Sequence, residues 1–397
     1  PGERAIIELY VPPGATAQPD LVLSSVGLGY RDLFGRLAAR STKAAYCNVD
    51  VICPAADPWR DEAQSVGGYS TGGSIFCTGT LIMDEPGSLR PFFLTASHCG
   101  LGPGNASSVV VYWNFESPSC GGLCCGSLAD NQTGATFLAS ESDVDFALIE
   151  LDSAPDPTFQ VCYAGWDRSG ATPSASVGIH HPNGDEKAIS FNDDPLTVSG
   201  DCTWSCDHDK CETGGPLDPF CDPCVSDVCL FNPYCCTVQW DSNCVDRVAS
   251  ACGSLCDTHW IVHGWESGTT EAGSSGSGLW DRNTHKLVGF LTGGESTCAN
   301  PTASDCYGRF SVAWDRGSSA SERLSDWLDP DDTGTVAVSG SCPSGTTPTP
   351  MPTPMVTPTS TPSPTPTPTP ALNKRERACI TTMNKNGQKV DKAQLKD

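Results

Sequence analysis

EAGSSGSGLW, residues 271–280, is the stretch whose reading decides the fold. A run of small Gly and Ser residues opens into a strand-like segment, a turn that can expose a hydroxyl and aim backbone N–H groups at one point. Two earlier segments supply what such a hydroxyl would need. In RPFFLTASHCG, residues 90–100, an apolar strand delivers Thr95, Ala96 and Ser97 and then His98 beside Cys99. In DVDFALIEL, residues 143–151, Asp145 stands at the entrance of a buried-strand pattern, placed to orient an imidazole through its Nδ1 hydrogen bond.

Working outward, strand patterns recur between turn clusters from Cys47 to about Ser341: GSIFCTGTLI, SVVVYWNF, KAISF, KLVGFLT and RFSVAW join the two above. The plan is all-β. A helix pattern closes it, with Leu324, Trp327 and Leu328 at i, i+3 and i+4 before Pro330. Residues 202–256 break the pattern with 11 cysteines among loop-forming residues, and are expected to form a satellite insert. Residues 344–370 become a Thr-Pro alternation, a stiff spacer too poor in apolar side chains to fold. Residues 1–43 are expected to be a pro-region remnant, 44–343 the main domain with its insert, and 371–397 the truncated start of a further module.

The 397 residues carry 23 cysteines and a formal net charge of -24. That many thiols suit a disulfide framework outside the cell, so export is expected. The start at Pro1 is read as that of a processed or truncated chain. The acidic balance disfavours nucleic acid and anionic membrane surfaces as partners and leaves a cationic substrate open. No apolar stretch is long enough to span a bilayer. The insert holds 11 cysteines and the remainder of residues 1–342 another 11, both odd. If all are paired, at least one bridge ties the insert to the main body.

The chain order His98, Asp145, Ser275 differs from the Asp, His, Ser of subtilisin-like chains and the Ser, acid, His of α/β-hydrolases, and fits the chymotrypsin-like order. Residues 47 to about 340 resemble bacterial lysyl endopeptidases, a branch of the trypsin-like serine proteases. The shared stretches are CNVDVIC from Cys47, CTGTL from Cys77, FFLTASHCG, VVYWNF, DFALIEL, AGWDR from Ala164, IHHPNGDEKAIS from Ile179, EAGSSGSGL, SDCYGR from Ser304 and ERLSDWLDP from Glu322. The resemblance implies a chymotrypsin-like double β-barrel, with His98 as general base, Asp145 as orienting acid and Ser275 as nucleophile. It also implies an oxyanion hole from the N–H groups of Gly273 and Ser275. Six residues before the nucleophile, where trypsin carries its pocket acid, stands Thr269. The family's pocket acid falls instead on Asp305, with Thr269, Gly293 and Gly294 as further substrate-binding positions. Thr292 stands where the best-known members have a histidine. Implied bridges are Cys47–Cys298, Cys53–Cys120 and Cys77–Cys99, and Cys306 is positioned to pair and reshape the pocket rim.

The expectation is a secreted, monomeric bacterial serine endopeptidase that cuts protein or peptide substrates after lysine, with no cofactor and no metal. Lys43 would be a site of self-release. His180 and His181 offer a metal reading, and CDPC (Cys221–Cys224) and Cys235-Cys236 a zinc reading, but the family pattern and the missing second ligand pair favour structural histidines and disulfides. The rivals are a protease that cuts after arginine or small residues, and an inactive protease-like module used for binding or adhesion.

Overall fold

The computed structural model describes residues 47–343 apart from 72–74, 122–125, 201, 203–205 and 253–255. The expected pro-region remnant, Lys43, the Thr-Pro spacer and the tail lie outside the described residues.

After β1 (Val49–Asp50), the strands β2 (Val66–Ser70), β3 (Cys77–Ile82), β4 (Phe92–Ala96), β5 (Val110–Tyr112), β6 (Asn131–Thr133), β7 (Ala135–Glu141) and β8 (Phe146–Leu151) follow in chain order. Of these, β2 to β8 make a seven-stranded antiparallel sheet in the order β6-β5-β2-β3-β4-β8-β7. The next strands are β9 (Trp166–Asp167), β10 (Ser176–His180), β11 (Ala188–Asn192), β12 (Thr197–Ser199), β13 (His259–Val262), β14 (Gly278–Asp281), β15 (Leu287–Gly294), β16 (Asp305–Arg309) and β17 (Ala337–Val338). With β1 they make the second sheet, whose main path runs β1-β11-β10-β14-β15-β16-β13-β12. The all-β, two-halved fold expected from the sequence is therefore present.

Strand alternation explains why two halves share one interface. In β4, Phe93 packs into the core of the first sheet with Tyr69, Leu81 and Trp113, while Phe92 and Leu94 on its other face join a core shared with Ile179, Trp280 and Phe290 of the second. In β8, Phe146 and Leu148 face the shared core and Ile149 and Leu151 the first sheet. Both faces of these strands are buried, which is why they read as continuous apolar runs.

Two local expectations are corrected. RFSVAW is not a strand: β16 ends at Arg309 and Phe310–Ala313 form a helical turn. Phe310, Ala313 and Trp314, spaced i, i+3 and i+4, are buried together against Trp166. The closing helix is only Ser325–Leu328, preceded by a 3₁₀ turn at Ala320–Glu322.

The insert is helical rather than loop-like, with helices Pro223–Phe231, Tyr234–Thr237 and Ser242–Cys252. Asp222 caps the first by accepting from the N–H groups of Cys224 and Val225, with Pro223 at its first position. Leu217, Val225, Val228, Trp240 and Val248 form a small core of their own with the half-cystines. Bridges Cys206–Cys221, Cys211–Cys256, Cys224–Cys252, Cys229–Cys236 and Cys235–Cys244 close within it. Cys202 pairs with Cys306, the bridge to the body that the odd counts require. The three implied bridges are present, together with Cys162–Cys342. CDPC and Cys235-Cys236 are consumed as disulfides.

Candidate active site

β4 ends at Ala96 and the chain turns through a short 3₁₀ segment, Ser97–Cys99, that carries His98. The Cys77–Cys99 bridge pins that segment to the start of β3. Asp145 precedes β8, the neighbour of β4, and holds His98 twice: Oδ1 accepts from the His98 backbone N–H at 2.8 Å and Oδ2 lies 2.7 Å from Nδ1. Its own carbonyl accepts from Ser97 N–H at 3.0 Å. Asp145 is 5% exposed and has a left-handed backbone, φ 64°. Such a conformation in a non-glycine residue costs roughly 1–2 kcal/mol and is tolerated here because both carboxylate oxygens are engaged. The Asp145 contact fixes Nδ1 as the donor and turns Nε2 away from the acid.

Ser275 belongs to the loop between β13 and β14, laid across the ends of the first sheet. Thr78 N–H donates to Ser275 O at 2.9 Å, Thr78 Oγ1 donates to Gly273 O at 2.8 Å, and Gly276 N–H donates to Leu291 O at 2.7 Å. Gly276 has φ 81°, and a Cβ there would lie 2.1 Å from Thr95 Oγ1 and 2.5 Å from Thr78 O. Glycine is therefore dictated both by backbone conformation and by space. The Sγ of Cys99, next to His98, lies 3.9 Å from Ser275 O. No hydrogen bond joins His98 to Ser275 among the described residues, and the imidazole is 42% exposed.

Around the loop, alternate backbone donors differ in fate. Ser274 N–H donates to Glu271 O and Gly276 N–H to Leu291 O, while those of Gly273 and Ser275 have no acceptor among the described residues. The two N–H groups without an acceptor thus flank Ser274 on the loop.

Behind the loop, His180 is fully buried, with Nδ1 2.8 Å from Ser274 Oγ and Nε2 3.0 Å from Ser190 Oγ. Ser190 Oγ donates to Thr269 O, so it accepts from His180 Nε2–H, and Nδ1 accepts from Ser274 Oγ–H. Ser274 Oγ in turn accepts from Glu271 N–H. Burial pushes the His180 imidazole down to about 3, so it stays neutral. His181 is held likewise at about 3 by burial first, with Nδ1 on Asp185 O and its ring stacked on Phe115. His180 supports the loop through Ser274, and the ring of His181 supports the Asp185 turn.

Asp305 opens β16 and is fully buried. Its Oδ2 accepts from Trp265 Nε1 at 2.6 Å and from Thr270 Oγ1 at 2.7 Å, while Oδ1 makes no hydrogen bond among the described residues. Burial raises its carboxyl to about 6, opposed by the hydrogen bonds from Thr270 and Trp265 and by Ser296 N–H. A Cβ on Gly294 would lie 2.2 Å from Oδ1, whereas one on Gly293 would meet open space. Thr269, also buried, shares a hydrogen bond with Ser296 Oγ. The sequence named His180 as structural and required a bridge from insert to body, with Cys306 positioned to pair, but did not give Ser274 as the partner of His180 or Cys202 as that of Cys306; Trp265, 40 positions from Asp305 and in no motif of its own, was missed. The Thr292 hydroxyl is buried and makes no hydrogen bond among the described residues.

The family model of the lysyl endopeptidase C-terminal domain matches residues 41–213 and 236–308, and that of a domain of unknown function matches residues 204–256. A lysyl endopeptidase of Pseudomonas aeruginosa is 28% identical over 336 residues, covering 76% of this chain and 57% of the relative. The chain thus spans little more than half the length of that relative. Among solved structures, the active form of a Mycobacterium tuberculosis protease aligns at 16% identity and TM-score 0.34, over 64% of this chain and 79% of that one. Kallikrein-related peptidase 10 aligns at 14% identity and TM-score 0.35, over 64% and 92%. At that level of likeness, the fold rests on the two sheets themselves and on the family match.

Proposed function

Because the chain belongs to the lysyl endopeptidase C-terminal domain family, we propose that it is a secreted serine endopeptidase that cuts polypeptides on the carboxyl side of lysine. The observation that carries this is the double hold of Asp145 on His98, 2.8 Å to the backbone and 2.7 Å to Nδ1. With Nδ1–H donated to Asp145, Nε2 is the free base. It takes the Ser275 proton as Oγ attacks the scissile carbonyl, and the oxyanion is received by the N–H groups of Gly273 and Ser275. His98 returns the proton to the leaving amine, and water attacking the acyl-enzyme regenerates Ser275.

Specificity falls to Asp305, since the trypsin-type pocket position is the uncharged Thr269. Gly293 and Gly294 line the approach. Export is supported by the ten disulfides among the described residues, which a reducing cytosol would not maintain. Among the described residues no helix is long and apolar enough to cross a membrane. The reading is tested by a peptide panel with lysine, arginine or alanine at the cleavage position, run on wild type and Asp305→Asn. Lysine preference that is lost in the variant supports it; lysine preference unchanged by Asp305→Asn removes the pocket assignment.

A further inference from the structure

Resting on that reading of Asp305, we propose that Trp265 and Thr270 are positioning residues that select lysine over arginine, by occupying one oxygen of Asp305 and leaving the other as its sole open acceptor. Oδ2 receives two donors, at 2.6 and 2.7 Å, which uses both of its lone pairs. Oδ1 is buried and accepts no hydrogen bond among the described residues; the Ser296 N–H that also favours the charged carboxyl makes no hydrogen bond of normal geometry with it. A guanidinium is a rigid fork that gains most from two parallel bonds to both oxygens of a carboxylate, whereas an ammonium is a compact charge satisfied by one. Tethering Oδ2 therefore subtracts from arginine what it does not subtract from lysine.

The tether is built rather than incidental. Trp265 is 5% exposed, its ring meets Tyr307 edge-on, and its backbone N–H is fixed on Pro301 O at 3.0 Å. Thr270 is buried beside Thr269. Gly294 leaves space beside Oδ1, because any Cβ there would collide with it. Among the described residues Tyr307 is the titratable group coupled to Asp305, and burial keeps it a neutral phenol.

The test uses Trp265→Phe, which keeps the ring and removes the donor, with Thr270→Val, which keeps the shape and removes the hydroxyl. kcat/KM is measured for lysyl and arginyl versions of one peptide, with Asp305→Asn in parallel. The lysine-to-arginine ratio is expected to fall about tenfold in the double variant, mostly through a lower arginyl KM. The acid limb of lysyl KM moves to higher pH, since two bonds that hold the carboxyl down are gone. Thr270→Ser, which keeps the donor, retains the wild-type ratio. If Asp305→Asn abolishes lysine preference while the donor variants leave both ratio and pH limb unchanged, the tether is overturned and the pocket reading stands. If Asp305→Asn changes nothing, the pocket reading itself has failed.

A separate observation concerns the insert. Leu230 and Phe231, 78% and 69% exposed, end one helix, and Tyr234 and Val238, 43% and 58% exposed, follow, held by Cys229–Cys236 and Cys235–Cys244. No Lys or Arg occurs between Lys210 and Arg247, whereas Glu212, Asp218, Asp222, Asp227, Asp241 and Asp246 do. Exposed apolar side chains on a segment that carries acids and no Lys or Arg of its own fit a basic, apolar segment, and the net charge of -24 disfavours a second copy. We infer that this patch holds a cationic, apolar stretch of the polypeptide substrate remote from the cleaved bond.

The probes are a lysyl p-nitroanilide and a long peptide with one lysine and a distal arginine–leucine segment. Leu230→Ser with Phe231→Ser is expected to raise KM about fivefold for the long peptide at low salt, to leave the short substrate unchanged, and to lose its effect at high salt. Equal effects on both substrates, or none, overturn the inference. So does a concentration-dependent dimer abolished by the variant, or an effect seen only after residues 344–397 are removed, which would assign the patch to the chain's own basic tail.

Discussion

Cys202 and Cys306 are joined by a disulfide, so the helical insert is fastened to the residue that follows Asp305 on β16.

Replacing both half-cystines with serine is expected to remove about 2–4 kcal/mol of stability, because the bridge closes a loop of 104 residues in the unfolded chain. It should also raise lysyl KM more than it lowers kcat. Denaturant titration and steady-state kinetics check both.

The Asp305 carboxyl, raised to about 6 by burial, gives a pH signature. Below that pH it is protonated and offers an ammonium no counter-charge, so lysyl KM rises as pH falls through about 6. Asp305→Asn lacks this limb. The stability sign is opposite: a carboxyl raised above its unfolded value of 3.8 stabilises the fold while protonated, and this contribution is lost as pH rises through about 6. Asp305→Asn should therefore melt higher than wild type at pH 8 and equal to it at pH 4. A melting-temperature series across that range decides.

Gly276→Ala should be nearly inactive. With φ 81° and Thr78 O 2.5 Å from the new Cβ, the loop must move, taking the Ser275 and Gly273 donors with it. We expect kcat to fall by a factor on the order of 100 or more, the scale of a lost oxyanion donor. Single-turnover measurement separates this from a binding defect.

His180→Phe keeps the bulk and removes both ring nitrogens, leaving the Ser274 hydroxyl without its acceptor while Ser190 keeps Thr269 O. A buried unpaired hydroxyl costs about 1–3 kcal/mol, so the variant should be less stable and turn over more slowly with KM little changed.

The strands around His98 and Asp145 were legible because β4 and β8 bury both faces and spell long apolar runs. The Phe310–Ala313 turn was misread, since four residues are too few to distinguish a helical period from a short apolar strand. The helices of the insert were hidden by cysteines, prolines and acids that read as loop, although their order comes from bridges and the Asp222 cap. Asp305 was located through a family pattern, but its Trp265 and Thr270 partners arise from tertiary packing across 40 and 35 positions. The alternation of open and closed N–H groups around Ser275 is a property of the folded backbone and leaves no trace in residue type.

The central claim, a His98–Asp145–Ser275 hydrolase, is tested most directly by a fluorophosphonate probe followed by peptide mapping. The account predicts stoichiometric modification of Ser275, abolished in Ser275→Ala and strongly slowed in His98→Ala. A folded protein that remains unlabelled at Ser275 at alkaline pH, or labels equally in His98→Ala, would contradict it.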